Sequence, residues 1–157
     1  MDVRIASDLI DAIVAEAARA PGHEVCGLLF ASPQTDRNLG AGSLDFAWDE
    51  RVLEARTTPN VAADPSRAFE IDPASLFVAI RAERAGGARI LGHYHSHPSG
   101  SPTPSARDAA MADRPGRLWL IIADGIVKAW RERPGGPVQN AFEPVRLVVD
   151  RATSGCA

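Results

Sequence analysis

Three of the four histidines in this 157-residue chain fall at every second position of one short stretch, LGHYHSHP, which covers residues 91–98. On an extended strand, side chains two residues apart emerge on the same face. His95 and His97 can therefore reach one point in space. Pro98 is expected to end the strand, because proline removes a donor from the ladder of hydrogen bonds.

A carboxylate that could join the two histidines follows shortly afterwards. Thr103-Pro104 has the features of a helix start, with threonine as the N-cap and proline in the first helical position. Ser105 and Asp108 would then lie on one helical face. Two neutral imidazoles and one carboxylate leave a tetrahedral zinc with one position open for water. His95, His97 and Asp108 are therefore candidate ligands. Each motif also has an ordinary interpretation, since His-x-His is often an exposed polar face and Ser-x-x-Asp is also the spacing of a helix capping box.

The composition predicts a single globular domain without a nucleic-acid partner. Hydrophobic residues make up 45% and charged residues 24% of the chain. The net charge is −3 and the pI is about 5.8, whereas phosphate binding needs a clustered basic face. Lys128 is the single lysine, and the arginines are scattered along the chain.

The cysteines and the N-terminus give no indication of an extracellular or membrane protein. Cys26 lies in an apolar run and is expected to be a small buried hydrophobic residue rather than half of a disulfide with Cys156. No Cys-x-x-Cys pair predicts a structural zinc. The sequence shows neither a secretory leader nor an apolar run that could span a bilayer, so we expect a cytoplasmic protein with no membrane partner.

Hydrophobic periodicity predicts helices and strands in alternation. One helix is expected over 7–20, capped by Ser7, and another between Asp72-Pro73 and Gly86-Gly87. Gly92 is expected where another backbone approaches closely. The predicted strands are 25–31, 43–48, 51–56, the histidine strand, 118–123, 126–131 and 145–149, with loops over 32–42 and 57–66. We therefore expect an α/β domain over 1–150, with a single mixed sheet flanked by helices, and a loose tail over 151–157.

Glu24 directly precedes the first of these buried strands. A carboxylate at the mouth of a buried strand is well placed to be held in a cleft. The ordinary alternative is a glutamate that solvates a turn.

Together, Glu24, His95-Ser96-His97-Pro98 and Ser105-Ala106-Arg107-Asp108 resemble the signature of the JAMM metalloproteases, also called MPN-plus or JAB domains. The resemblance covers nearly the whole chain and implies a cytidine-deaminase-like three-layer fold. It also implies one catalytic zinc held by His95, His97 and Asp108, with Glu24 as general base and Ser105 as hydrogen-bond donor to the oxyanion.

The same resemblance implies a reaction. The family hydrolyses amide bonds, most often the isopeptide bond after the C-terminal glycine of ubiquitin or a ubiquitin-like protein, which makes such a protein the expected substrate. The region from Asn60 through Asp64-Pro65 to Phe69-Glu70-Ile71 resembles the segment beside the incoming substrate tail. Ser96 is expected to be structural, and His93 either lines the site or is a structural histidine.

Two other classes of protein compete with this interpretation. A non-catalytic MPN-type scaffold would mediate protein contacts only, but such proteins lose metal ligands and this chain retains the full set. A zinc nucleobase deaminase would need His-x-Glu and Pro-Cys-x-x-Cys motifs, and the sequence contains neither.

Overall fold

The structure, a computed structural model, describes residues 2–33 and 50–151. The predicted strand over 43–48, most of the loop over 32–42 and Cys156 lie outside these residues, and the limits of the domain and its tail stay a prediction. The described elements are β1 (Val3–Ala6), α1 (Ser7–Ala18), β2 (Cys26–Ala31), β3 (Glu50–Val52), β4 (Glu54–Thr58), α2 (Pro73–Arg84), β5 (Arg89–Ser96), α3 (Ala106–Met111), β6 (Leu118–Ala123), β7 (Ile126–Glu132), β8 (Phe142–Val145) and β9 (Leu147–Asp150).

The described strands form two sheets, so the α/β class was predicted correctly but the single sheet was wrong. A six-stranded sheet has the order β4-β2-β5-β6-β7-β8, and a three-stranded parallel sheet has the order β3-β1-β9. The reason is that two predicted strands each turn a corner at one residue. Leu53 separates β3 from β4, and Arg146 separates β8 from β9. The two short strands β3 and β9 both pair with β1, which was not predicted from the sequence.

The histidine strand β5 lies inside the larger sheet. It runs antiparallel to β2, with Cys26 opposite His95, and parallel to β6, with His95 opposite Ile121. Gly92 makes this pairing possible, because a Cβ atom at that position would collide with the Leu118 carbonyl oxygen. The prediction of a close backbone approach at Gly92 is therefore confirmed.

The two faces of this sheet carry different cores. On one face, Leu118, Leu120 and Ile122 pack in a cluster that receives the apolar stripe of α1. On the other face, Trp119 and Ile121 belong to a cluster that also contains Cys26, Phe69, Trp130 and Phe142. His95 contacts this second cluster, since its ring lies against Phe69 and Trp119. The alternation of side chains along β5 thus places His95 in an aromatic environment.

The first two helices differ in the residue that occupies the N-cap position. Asp72 caps α2 by accepting a hydrogen bond from the Ser75 N–H at 3.2 Å, with Pro73 in the first turn, as predicted. Ser7 does not cap α1. Ala6, the last residue of β1, occupies the N-cap position, because the strand runs directly into the helix. No helix in residues 2–33 and 50–151 is long and apolar enough to cross a membrane.

Candidate metal centre

His95 and His97 converge as their spacing predicts. His95 is fully buried near the end of β5, and His97 follows the strand with its side chain 12% exposed. Their Nε2 atoms are 3.0 Å apart. The His97 N–H donates to the Ile122 carbonyl at 2.8 Å, which continues the pairing with β6 beyond the assigned strand. The two rings therefore turn their Nε2 atoms toward one point.

Asp108 completes the cluster from the first turn of α3. The predicted helix start at Thr103-Pro104 was wrong, because α3 begins at Ala106 with Ser105 as its N-cap. The Ser105 hydroxyl accepts from the Asp108 N–H at 3.1 Å, and the Asp108 carboxylate accepts from the Ser105 N–H at 2.8 Å. This reciprocal pair is the capping box that was the ordinary interpretation of Ser-x-x-Asp. Here it also holds the carboxylate beside the two imidazoles.

The donor atoms of these side chains lie at separations that suit one small cation. The distance from His95 Nε2 to Asp108 Oδ1 is 3.1 Å, and that from His97 Nε2 to Asp108 Oδ2 is 3.2 Å. Ligand atoms of a tetrahedral zinc are roughly 3.3 Å from one another. The His97 Nδ1 atom lies 2.8 Å from the Ser101 carbonyl and can donate to it, an arrangement that leaves Nε2 free for a metal. The residues present therefore fit a zinc ion.

The protonation states of Asp108 and His95 favour a cation as well. Burial acts to raise the pKa of Asp108, but hydrogen bonds from the two imidazoles outweigh it and hold this pKa well below its usual range. Burial lowers the pKa of His95. At neutral pH, Asp108 is therefore a carboxylate and His95 a neutral imidazole, which are the forms that bind a metal.

Glu24 faces the same cluster from the start of β2. It is only 8% exposed, and its Oε2 atom has no hydrogen-bond partner among the described residues. Burial raises the pKa of this carboxyl to about 7. Ligand atoms of Glu24, His95 and His97 all lie within 4.8 Å of one another, so this group could hold a metal ion. The oxygens of Asp108 lie closer to the imidazoles, which favours Asp108 over Glu24 as the third ligand.

An open cavity of about 530 Å³ adjoins these side chains. Glu24, His97 and Ser105 reach it from three different elements. Small residues of the loop after His97 form one side, and Ser66 and Arg67 form another. A substrate in this cavity would thus meet His97, the Glu24 carboxyl group and Ser105 together.

Comparison with known proteins shows the family. Residues 6–133 match the family described as prokaryotic homologs of the JAB domain. The chain belongs to this family. It is 36% identical to a desampylase of Haloferax volcanii over 130 residues, which cover 80% of this chain and 84% of that protein. A desampylase of Pyrococcus furiosus is 31% identical over 128 residues, with 81% and 76% covered.

A third relative of this JAB domain matches over a shorter length. It is named "Probable TtuB-protein conjugate cleaving protease", comes from Thermus thermophilus, and is 38% identical over 81 residues, which cover 52% of this chain and 51% of that protein. The predicted family and the predicted enzyme class, a JAMM-type isopeptidase, are confirmed by these matches.

Solved structures show the same fold. A solution structure from Desulfitobacterium hafniense has a TM-score of 0.73 at 22% identity and covers 97% of this chain and 95% of that one. A JAB1/MPN domain protein from Archaeoglobus fulgidus has a TM-score of 0.56 at 22% identity, with 95% and 98% covered.

Several contacts around the centre of this JAB domain were not predicted from the sequence. The Phe69 ring stacks on His95 with centroids 4.2 Å apart, and Trp119 meets the same imidazole edge-on at 5.7 Å. Ser101 contributes only a backbone carbonyl, which no sequence pattern reveals. The sequence shows Phe69 near a polar loop and Trp119 in an apolar run, but neither pattern predicts that the ring contacts His95.

Ser96 and His93, two other residues of the histidine strand, are both buried. Ser96 is buried, and its hydroxyl accepts from the Val25 N–H at 2.9 Å, next to Glu24. His93 is buried between Phe69 and Trp119, with ring centroids 5.3 and 4.1 Å away. Its Nδ1 atom is buried and has no hydrogen-bond partner among the described residues. Ser96 therefore joins the histidine strand to the segment that carries Glu24, and His93 packs in the aromatic cluster beside His95.

Proposed function

We propose that this JAB domain is a zinc-dependent isopeptidase that hydrolyses the amide bond after the C-terminal glycine tail of a ubiquitin-like protein. The observation that carries the proposal is the convergence of His95, His97 and Asp108 within 3.0–3.2 Å, with the free carboxylate of Glu24 facing them. The class of substrate is supported by the names of the two desampylases, which align with this chain over most of their length.

Three residues are proposed to hold the metal, and two to act on the substrate. Bound zinc would polarise the scissile carbonyl and acidify a water molecule. Glu24 would take a proton from the attacking water and pass it to the leaving amine, a role that suits a buried carboxyl whose pKa is about 7. The Ser105 hydroxyl accepts from Asp108 and still has its own hydrogen to donate to the developing oxyanion.

The cavity is consistent with a narrow, extended substrate segment. Ser99, Gly100 and Ser101 line it beside His97, so the wall next to the candidate ligands has little side-chain bulk. The segment between Asp108 and Leu118 is short and contains no long insertion. A tail of small residues, such as one that ends in glycine, can therefore approach the cluster closely.

The test is cleavage of two matched substrates by the purified protein. One is a ubiquitin-like protein joined through its C-terminal glycine to a lysine ε-amine, and the other is the same protein in a linear fusion. We expect about one equivalent of zinc, cleavage of the lysine conjugate, loss of activity with a chelator and recovery on addition of zinc. Zinc-loaded protein that cleaves neither substrate would contradict the proposal, and metal-free protein would indicate the non-catalytic scaffold.

A further inference from the structure

The side chain of Asn60 uses its complete hydrogen-bonding capacity within one loop. Its Nδ2 group donates to the Glu24 carbonyl at 2.8 Å and to the Ala68 carbonyl at 2.9 Å. Its Oδ1 atom accepts from the Ala62 and Glu70 N–H groups, both at 3.0 Å. An asparagine side chain offers two donors and two acceptor lone pairs, and all four are occupied here. Asn60 thus joins four points of the backbone.

These contacts attach the backbone of Glu24 to the loop over 60–70 at two positions. Besides the bond from Asn60 to the Glu24 carbonyl, the Glu24 N–H donates to the Pro65 carbonyl at 2.7 Å. The loop is itself closed by a bond from the Val61 N–H to the Glu70 carbonyl at 3.0 Å. Both polar backbone groups of Glu24 therefore depend on the conformation of this loop.

The same loop reaches the other side of the centre through Phe69. This ring is stacked on His95 at an interplanar angle of 19°. The His95 Nδ1 atom is buried and has no hydrogen-bond partner among the described residues. The Nδ1 side of this imidazole is therefore held by packing against Phe69 and Trp119 rather than by the hydrogen bond that usually orients a metal-bound histidine.

We propose that Asn60 is a positioning residue, whose side-chain amide fixes the 60–70 loop so that the Glu24 carboxylate and the His95 ring face each other correctly. The inference rests on the proposed function, because it concerns the placement of the base relative to a ligand. Asn60 does not line the cavity beside the candidate ligands, and its four hydrogen bonds all go to backbone groups. It acts through the backbone of Glu24 and through the loop that carries Phe69.

Asn60→Asp is the informative variant. It keeps the size of the side chain and can still accept from Ala62 and Glu70, but it replaces the two N–H donors with an oxygen that faces two carbonyls. Asp72→Ala is the matched control. It removes the side chain that accepts from the Ser75 N–H at 3.2 Å and hydroxyl at 2.8 Å just beyond the loop, without contacting the Glu24 segment.

Both variants are compared with the wild type as zinc-loaded proteins. For N60D we expect kcat to fall about 10- to 100-fold, with KM within about 2-fold, because a small displacement of a catalytic group is costly. We also expect amide hydrogen exchange at Glu24 to rise at least about 10-fold, because its N–H donates to the Pro65 carbonyl of a loop that has lost the two donor bonds of Asn60. D72A is expected to have a lower melting temperature, while its kcat and the exchange of the Glu24 amide stay within about 2-fold of the wild type. Zinc content should be unchanged in both.

Wild-type kcat in N60D would overturn the inference, and so would an equal fall of kcat in D72A, which would mean that general loosening is the cause. If N60D does not fold, Asn60→Ser, which retains one hydroxyl, is expected to show the same pattern with a smaller fall in kcat of about 3- to 10-fold.

Failure of the proposed function appears separately, as a wild type that cleaves nothing. In that case the amide exchange measurement decides alone. Unchanged protection of the Glu24 amide in N60D would overturn the inference, and faster exchange of this amide in N60D but not in D72A would support it.

Discussion

The two halves of the candidate site are held by contacts of different range. The ligand half consists of His95, His97 and Asp108, and the side-chain hydrogen bonds that hold it are made within residues 95–108, through the capping box of Ser105 and the Ser101 carbonyl. The half that carries Glu24 is fixed by Asn60 and Pro65 of one loop and, through Val25, by Ser96. The hydrogen bonds of the ligand half are therefore largely determined by local sequence, whereas the position of Glu24 depends on two distant segments.

The difference has a functional consequence. A change in the ligand half should remove the metal, and activity with it. A change in the other half should spare the metal and reduce turnover, because Glu24 contributes a proton acceptor rather than a necessary ligand. The substitutions below separate the two halves on this basis.

The largest effect is expected for Asp108→Ala. This change removes both carboxylate oxygens, of which one lies 3.1 Å from His95 Nε2 and the other 3.2 Å from His97 Nε2, so zinc should fall from about one equivalent to a trace and cleavage to the background of the assay. Metal analysis after dialysis measures the first effect. Ser105→Ala serves as the control, since it breaks the same capping box but keeps the carboxylate. Full zinc content in D108A would mean that Glu24 is the third ligand instead.

A smaller effect on turnover, and none on the metal, is expected for Glu24→Gln. The amide keeps the shape of the buried side chain but cannot take a proton, and loss of a general base costs about 10²- to 10⁴-fold in rate. Single-turnover cleavage of the lysine conjugate, with zinc measured on the same sample, gives both quantities. If zinc left together with activity, the division into two halves would be incorrect.

For Ser105→Ala we expect a fall in kcat of about 10²-fold, the usual effect of removing one donor to an oxyanion. The same change removes the N-cap of α3 and should lower the free energy of unfolding by about 1 kcal/mol. Ser105→Thr is the rescue variant, because it retains the hydroxyl that serves both as cap and as hydrogen-bond donor. Recovery of stability together with recovery of kcat in S105T is the expected result. A kcat in S105A close to that of the wild type would assign Ser105 to capping alone.

The sequence predicted those parts of the fold whose signals are local. The Asp72-Pro73 start of α2 and the buried strand β6 follow from capping chemistry and from an unbroken apolar run. The strand β1 was missed because its four residues become a strand only through pairing with β3 and β9 on either side. The corners at Leu53 and Arg146 were missed for the same reason, since tertiary pairing decides where each run leaves its sheet.

The site divides in the same way. The spacing of His95, His97 and Asp108 could be interpreted without a structure, because a strand and a capping box fix their directions locally. The loop over 57–66 was predicted from its proline, asparagine and aspartate content, but composition does not reveal that Asn60 bonds to Glu24 or that Phe69, just beyond this loop, packs on His95. Those contacts exist only when distant segments fold together.

The smallest effect is expected where the two halves meet, at Phe69. In Phe69→Leu, the stacking contact with His95 is lost but the ligands remain, so zinc affinity should weaken by about 10-fold, as for other residues that orient a metal-bound histidine. Phe142→Leu is the matched control. It removes an equally buried ring that contacts Trp119, with centroids 5.0 Å apart, on the same core face, and no ring contact joins it to His95 among the described residues. Both variants should lose stability, because each leaves a cavity, but only F69L should lose zinc in a competition titration with a chelator. Equal zinc affinities in the two variants would show that the imidazole keeps its orientation without the stack, and that the loop influences the centre through Glu24 alone.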